Sequence, residues 1–214
     1  MHMTPEQIAQ NKQEFINICR QEIDRPGLEK LLEYLEDSDF FTAPSSTQFH
    51  LNEKGGLCKH SLNVYRTAVQ IYETTVRPAI LSGISPFTEE ISKESIAIAT
   101  LFHDLCKTKI YHEAEKWRKD ENGRWESYLG YELKDDFPFG HGEKSCLMIG
   151  WFMRLKLDEL LAIRWHMGMF EMTENGTSTK AAYRAAMDKS ALVSLVQCAD
   201  MISANCLEVT TVMK

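Results

Sequence analysis

Apolar residues recur every three to four positions through most of the chain, the spacing that turns one face of a helix toward a core. Thr4-Pro5-Glu6 sets a capping residue before a proline at the first helical position, and Ile8, Phe15, Ile16, Ile18 and Cys19 follow at helical intervals up to Arg25-Pro26-Gly27. Leu28, Leu31, Leu32 and Leu35 make a short second helix, which the segment from Phe40 to Ser46, with its proline and small hydroxyl residues, breaks. After Gly55-Gly56 a long helix carries Leu57, Ser61, Val64, Ala68 and Ile71 as one stripe. From Ile91 to Leu105 the chain is apolar nearly all round, which predicts a central helix buried on several sides.

Between Lys107 and Gly140 this pattern gives way to charged residues around Glu121-Asn122-Gly123-Arg124. Asn-Gly flanked by Trp117 and Trp125 predicts a hairpin, an inserted flap over about residues 107–140. Helices resume from Gly142 to Leu155, Leu157 to Trp165, Ala181 to Met187 and Asp188 to Val209. The expectation is an all-α fold with one hairpin insertion.

A length of 214 residues suits one domain, and with 43% hydrophobic and 26% charged residues the chain can build a sizeable core. The formal charge of −7 argues against a broad basic surface, so extended duplex binding is not expected. No run of about 18 apolar residues is present, which predicts no membrane span. The first residues lack the basic and apolar regions of a secretory signal, so the expected compartment is the cytoplasm, where thiols stay reduced. The six cysteines form no C-x-x-C pair and read as small hydrophobes.

Histidine placement carries the chemistry. His60 stands one turn into a helix, His103 is followed directly by Asp104, and His141 and His166 each border a helix. Asp200 sits in an apolar helix, where an ionised carboxylate costs several kcal/mol unless it is paired or bound to a metal. Imidazole and carboxylate are the mixed donors that suit divalent manganese, iron, cobalt, nickel or zinc. Adjacent His103 and Asp104 on one helix diverge by about 100°, which lets them address two ions, with Asp104 as the bridge. Each of these residues taken alone reads as readily as a hydrogen-bonded core group or a cap; their number and order make the case.

The order His, His-Asp, distant Asp resembles the HD-domain metal-dependent phosphohydrolase superfamily. His60 lies in Gly55-Gly56-Leu57-Cys58-Lys59-His60, similar to the family's Gly-Gly-Leu-x-x-His, and His103-Asp104 lies in His103-Asp104-Leu105-Cys106-Lys107, similar to His-Asp-x-x-Lys. Asp200 supplies the distal Asp, and His141 and His166 match the further positions of members with at least two metals. The resemblance covers about residues 40–207, the HD core of a domain spanning 1–214, with residues 1–38 as N-terminal helices. It implies two divalent ions held by His60, His103, Asp104, His141, His166 and Asp200, and an activated water that cleaves a phosphoester or phosphoanhydride. Lys107, one turn beyond Asp104, is placed to reach a phosphate oxygen.

The segment from Ala43 to His50 is similar to the lead-in of YhaM-type exonucleases, although the chain holds no counterpart of their OB-fold. The implied substrate is a small nucleotide or a short single-stranded nucleic acid. Lys144 and Glu143, at a helix start beside His141, are candidates for phosphate binding, with Glu143 also a candidate acceptor for a ligand histidine; His50 is a candidate donor to the leaving group or phosphate. Cations and aromatics interleave on the flap, at Lys116, Trp117, Arg118, Lys119, Trp125, Tyr128 and Tyr131, a pattern that can stack a base or equally cover the core. Two other readings stand beside hydrolysis: a mixed-valent di-iron oxygenase with the same ligand set, and a non-catalytic nucleotide-sensing module. A homodimer is the base-rate expectation for a soluble enzyme.

Overall fold

The computed structural model describes residues 2–171 and 177–208 and is mostly helical. Helix α1 (Pro5–Glu22) opens on a reciprocal cap in which Thr4 Oγ1 accepts from the Gln7 amide and Gln7 Oε1 accepts from the Thr4 amide. It lays Phe15 against Phe40, Phe41 and Phe102, with ring centroids 5.1–5.8 Å apart, tying the N-terminal helices to the centre. Helix α2 (Leu28–Asp37) buries Leu28, Leu31, Leu32 and Leu35.

Helix α3 (Gly56–Ile71) buries Leu57, Ser61, Val64 and Ala68, as its stripe predicts, and runs through a π-helical turn (Tyr72–Val76) into α4 (Arg77–Leu81). A Cβ at Gly56 would lie 2.1 Å from the carbonyl oxygen of Leu51, so only glycine lets the loop before α3 fold back onto the helix start. That loop, closed by the Ser45 amide donating to Leu51 O, carries His50 to the face where His60 lies.

Helix α5 (Lys93–Leu101) is the central helix and is buried from Ser95 to Leu101. It is shorter than the apolar run implies. The helix ends at Leu101, and His103 and Asp104 lie in the turn before a short 3-10 segment (Leu105–Lys107). The divergence of adjacent helical residues therefore does not apply to them; a break in the backbone, invisible to apolar periodicity, replaces it.

Strands β1 (Tyr111–Lys119) and β2 (Trp125–Leu133) pair antiparallel, and Asp120 Oδ1 accepts from the amides of Asn122 and Arg124 at the tip. The hairpin is the inserted flap. Helix α6 (His141–Gly150) stops five residues before the expected Leu155, α7 (Leu157–Arg164) follows, α8 (Thr177–Lys189) begins earlier than Ala181, and α9 (Ala191–Ile202) gives way to a π-helical turn (Ser203–Leu207). The expected end of the last helix at Val209 lies outside the described residues. Helix α3 packs on α5 and α9, and α7 on α5, α6 and α9, so the centre of the molecule is walled by helices from both halves of the chain. Among the described residues no single helix is long and apolar enough to cross a membrane, and all six cysteines are free thiols.

Candidate metal centre

Three helices and two turns converge on a single buried cluster. Helix α3 supplies His60, the turn after α5 supplies His103 and Asp104, α6 begins with His141, His166 follows α7, and α9 supplies Asp200. His60, His103, Asp104 and His166 are at most 2% exposed.

Asp104 is the hinge of the cluster. Its Oδ1 lies 2.8 Å from His141 Nε2 and 3.5 Å from His166 Nε2, while its Oδ2 lies 3.4 Å from His103 Nε2 and 3.6 Å from His60 Nε2. Asp200 Oδ1 faces His60 Nε2 at 3.1 Å and His103 Nε2 at 4.0 Å. Four overlapping groups of donor atoms result, of which His60, His103, Asp104 and His141, His166, Asp104 share the Asp104 carboxylate, while His103, His166, Asp200 and His50, His60, Glu208 are the other two.

The outer nitrogens decide what the inner ones can do. His103 Nδ1 lies 2.7 Å from Thr100 O, His166 Nδ1 lies 2.7 Å from Ile163 O, and His60 Nδ1 lies 2.8 Å from Glu208 Oε2. Carbonyls and carboxylates only accept, so each Nδ1 donates, and in the neutral ring each Nε2 is left as a bare lone pair. His60 Nε2 and His103 Nε2 then face each other at 3.2 Å, and His166 Nε2 is buried with no hydrogen-bond partner among the described residues. Converging lone pairs and carboxylates repel unless a proton or a metal cation lies among them, and these donors fit divalent transition metals.

The electrostatics agree. Burial resists charge on His60, yet hydrogen bonds to Asp200 and Glu208 raise it to about 10, so the metal-free ring carries a proton where an ion would sit. Burial likewise opposes charge on Asp104, but Lys107 and the neighbouring histidines hold it well below the usual carboxylate range. Asp200 is also lowered, burial being outweighed by His60. Burial pulls His141 down, with Asp104 opposing.

The cluster forms the floor of a cavity of about 670 Å³. Lys107 and His50 reach this cavity, and Lys107 Nζ lies 2.6 Å from Asp104 Oδ2. The His50 ring lies tilted 4.8 Å from the His60 ring, its Nε2 buried without a partner among the described residues, and burial together with His60 and Lys107 lowers it to about 4. The other walls come from Gln48, Phe49, Met167, Phe170, Gln197, Met201, Ala204 and Asn205. Gly168, at φ +55°, admits the Gln197 amide where a Cβ would lie 1.7 Å from Nε2, which seats the loop after His166 on α9.

Lys144 and Glu143 are placed elsewhere. Lys144 is buried with Nζ 2.5 Å from Asp135 Oδ1, and Glu143 Oε1 pairs with Arg164 Nε at 2.5 Å; neither lines the cavity. Their helix-start position suggested an anion site, but both charges are taken by neighbours. The flap strands do not line the cavity either: Arg118 pairs with Glu126, and Lys119 sits over the Trp125 ring. Two partners escaped the sequence reading, Glu208 behind His60 and Cys106, whose Sγ lies 3.2 Å from His141 Nδ1. Neither leaves a local mark in the sequence, since each meets its histidine only in the folded chain.

A helical scaffold around a buried His and Asp cluster with the donors of a divalent metal site defines the class of this protein. Residues 57–205, more than half of the chain, match the HD domain, and the chain belongs to the HD-domain family, whose members are generally metal-dependent phosphohydrolases. Neither the curated proteins nor the solved structures compared with the chain include a match to it.

Proposed function

We propose that this protein is a metal-dependent phosphohydrolase that cleaves a phosphoester or phosphoanhydride of a nucleotide-like substrate, a small nucleotide or the end of a short single-stranded nucleic acid. The observation that carries the reading is the pair of donor sets sharing Asp104 at the floor of an open cavity that also holds Lys107. His60, His103, Asp104 and Asp200 would hold one divalent ion, and His141, His166 and Asp104 a second. Ions so held supply a hydroxide near neutral pH and draw charge from a phosphoryl oxygen.

The chain's own residues do the rest. Lys107 offers a point charge to a non-bridging phosphate oxygen, which favours phosphate chemistry over oxygen activation. His50, neutral near pH 7, stands at the cavity wall where it can hydrogen-bond the phosphate or the departing oxygen. Phe49, Phe170 and Met201 give the rim flat and apolar surface against which a base can rest, and the amides of Gln48, Gln197 and Asn205 offer donors and acceptors to its edge.

Elemental analysis of protein purified without chelator, beside a hydrolysis screen with nucleotides, short oligonucleotides and dinucleotide polyphosphates, tests the reading. About two transition-metal ions per chain and hydrolysis abolished by chelation are expected. Protein that takes up no manganese, iron or cobalt and hydrolyses nothing overturns it in favour of a binding module.

A further inference from the structure

The histidines of the centre are not held alike. His103 and His166 each donate Nδ1–H to a carbonyl three residues earlier in their own chain segment, at 2.7 Å in both cases. His60 has no such carbonyl, because it stands within α3, where main-chain carbonyls serve the helix. Its Nδ1–H donates instead to Oε2 of Glu208, 148 residues away and at most 3% exposed. The other oxygen of Glu208 accepts from Asn63 Nδ2 at 2.8 Å, and Asn63 lies on the same helix, three residues after His60. One carboxylate is thus clamped by two side chains of α3, with both oxygens used. The turn that delivers it, Ser203–Leu207, is fastened to α3 by Ser203 Oγ, 3.3 Å from Thr67 Oγ1. Glu208 lies three residues beyond the segment 57–205 that matches the family.

We infer that Glu208, latched by Asn63, is a positioning residue for the metal centre: it fixes the tautomer and orientation of His60 and strengthens Nε2 as a donor toward the ion shared with His103, Asp104 and Asp200. A carboxylate behind an imidazole does both, since it accepts the Nδ1 proton and its negative charge raises the electron density of the ring. The neighbouring set has a weaker backing, because among the described residues His141 Nδ1 faces the thiol of Cys106 and no carboxylate. The two ion positions are therefore unequal, and Glu208 acts on one of them. This inference rests on the metal-centre reading above.

Manganese or cobalt titrated into metal-free protein by calorimetry, for the wild type, Glu208→Gln, Glu208→Asp and Asn63→Ala, separates the possibilities. The wild type is expected to bind two ions in resolvable steps. Glu208→Gln is expected to weaken one step by about 10- to 100-fold and leave the other within a factor of about two, the size of loss seen when such outer partners are removed. Glu208→Asp should recover part of the loss, and Asn63→Ala should show a smaller drop at the same step. Far-ultraviolet circular dichroism of each metal-free variant reports folding independently. Unchanged affinities in both Glu208→Gln and Asn63→Ala, or an equal loss at both steps, overturn the positioning role while leaving the metal centre standing. A wild type that binds no ion instead overturns the metal-centre reading itself, and this inference with it.

Discussion

The ammonium nitrogen of Lys107 lies 2.6 Å from Oδ2 of Asp104, the oxygen that also faces His60 and His103. Lys107 thus holds, in the metal-free protein, a position that a divalent ion would contest. A lysine displaced from that oxygen has its charge to offer a phosphate in the same cavity. Lys107→Ala is expected to lower kcat/KM for phosphoester hydrolysis by roughly 10- to 100-fold, the scale of one charge-assisted hydrogen bond. Metal affinity in the variant should be unchanged or higher, since a competing cation has gone. Kinetics paired with metal titration check this, and loss of bound metal would show that Lys107 supports the ion instead.

Asp104 has one oxygen for each donor set, so Asp104→Ala is expected to empty both. Metal content should fall from about two ions per chain to well under one, with hydrolysis lost and helical circular dichroism kept. Hydrolysis surviving in the variant would refute the shared role of this carboxylate.

The raised His60 sets a pH dependence with a definite sign. Its ordinary value is 6.5 and its folded value about 10, so the stability its charged form contributes is complete below 6.5 and is lost as pH rises through about 10. Asp200 and Glu208 are lowered, burial being outweighed in each case by His60, and their contribution is lost in the opposite direction, on acidification. Metal-free protein is therefore expected to melt at lower temperature at about pH 10 than at about pH 8. An ion must displace the His60 proton, so binding at about pH 8 should release close to one proton and tighten as pH rises. Calorimetry in two buffers of different ionisation enthalpy measures that release; none would mean that His60 is neutral before the ion arrives.

The six candidate donors that the structure brings together were legible in the sequence because each stands at a helix or its border, where periodicity is a good guide, and because six such residues in that order are hard to obtain by chance. What periodicity could not give was the end of α5. The apolar run continues through Phe102 and Leu105, yet the backbone turns at His103 and Asp104, and the turn lets Asp104 face both donor sets. Contacts across long separations were invisible for a different reason. Glu208 meets His60 and Arg25 meets Glu159 only when distant helices pack, and neither pair leaves a local mark. Lys144 and Glu143 stand at a helix start, which suggests an anion site whether or not its charges are already met, as they are here by Asp135 and Arg164.

Glu159 is wholly buried and accepts from both Nη atoms of Arg25, at 2.5 and 3.0 Å, and from Ser95 Oγ at 2.8 Å. These bonds join the end of α1 to α5 and α7. Glu159→Ala leaves the guanidinium with Glu94 and the Arg154 carbonyl oxygen and is expected to cost about 3 kcal/mol, the lower end of the penalty for breaking a buried ion pair. Urea denaturation should show the midpoint lowered with the slope retained. A loss under about 1 kcal/mol would mean that Glu94 and the Arg154 carbonyl suffice for Arg25.

The cavity itself limits how much negative charge a substrate can bring. Among the described residues that line it, Lys107 is the one lysine or arginine, and it is already close to Asp104. A triphosphate needs several cationic clamps along its chain, which these walls do not offer, whereas a single phosphate needs only the metal centre and one lysine. The apolar rim of Phe49, Phe170 and Met201 suits the uncharged end of such a molecule, and Phe170 and Phe49 are 84% and 63% exposed, free to stack. Singly phosphorylated nucleosides are therefore expected to exceed the matching triphosphates in kcat/KM by at least about tenfold. Phe170→Ala should raise KM for a nucleoside monophosphate by roughly 5- to 100-fold, the worth of one base stacked on an aromatic ring, with ribose 5-phosphate unaffected. Equal hydrolysis of monophosphate and triphosphate would show that the ions alone neutralise the extra charge, and equal effects of Phe170→Ala on both substrates would remove the base from the rim.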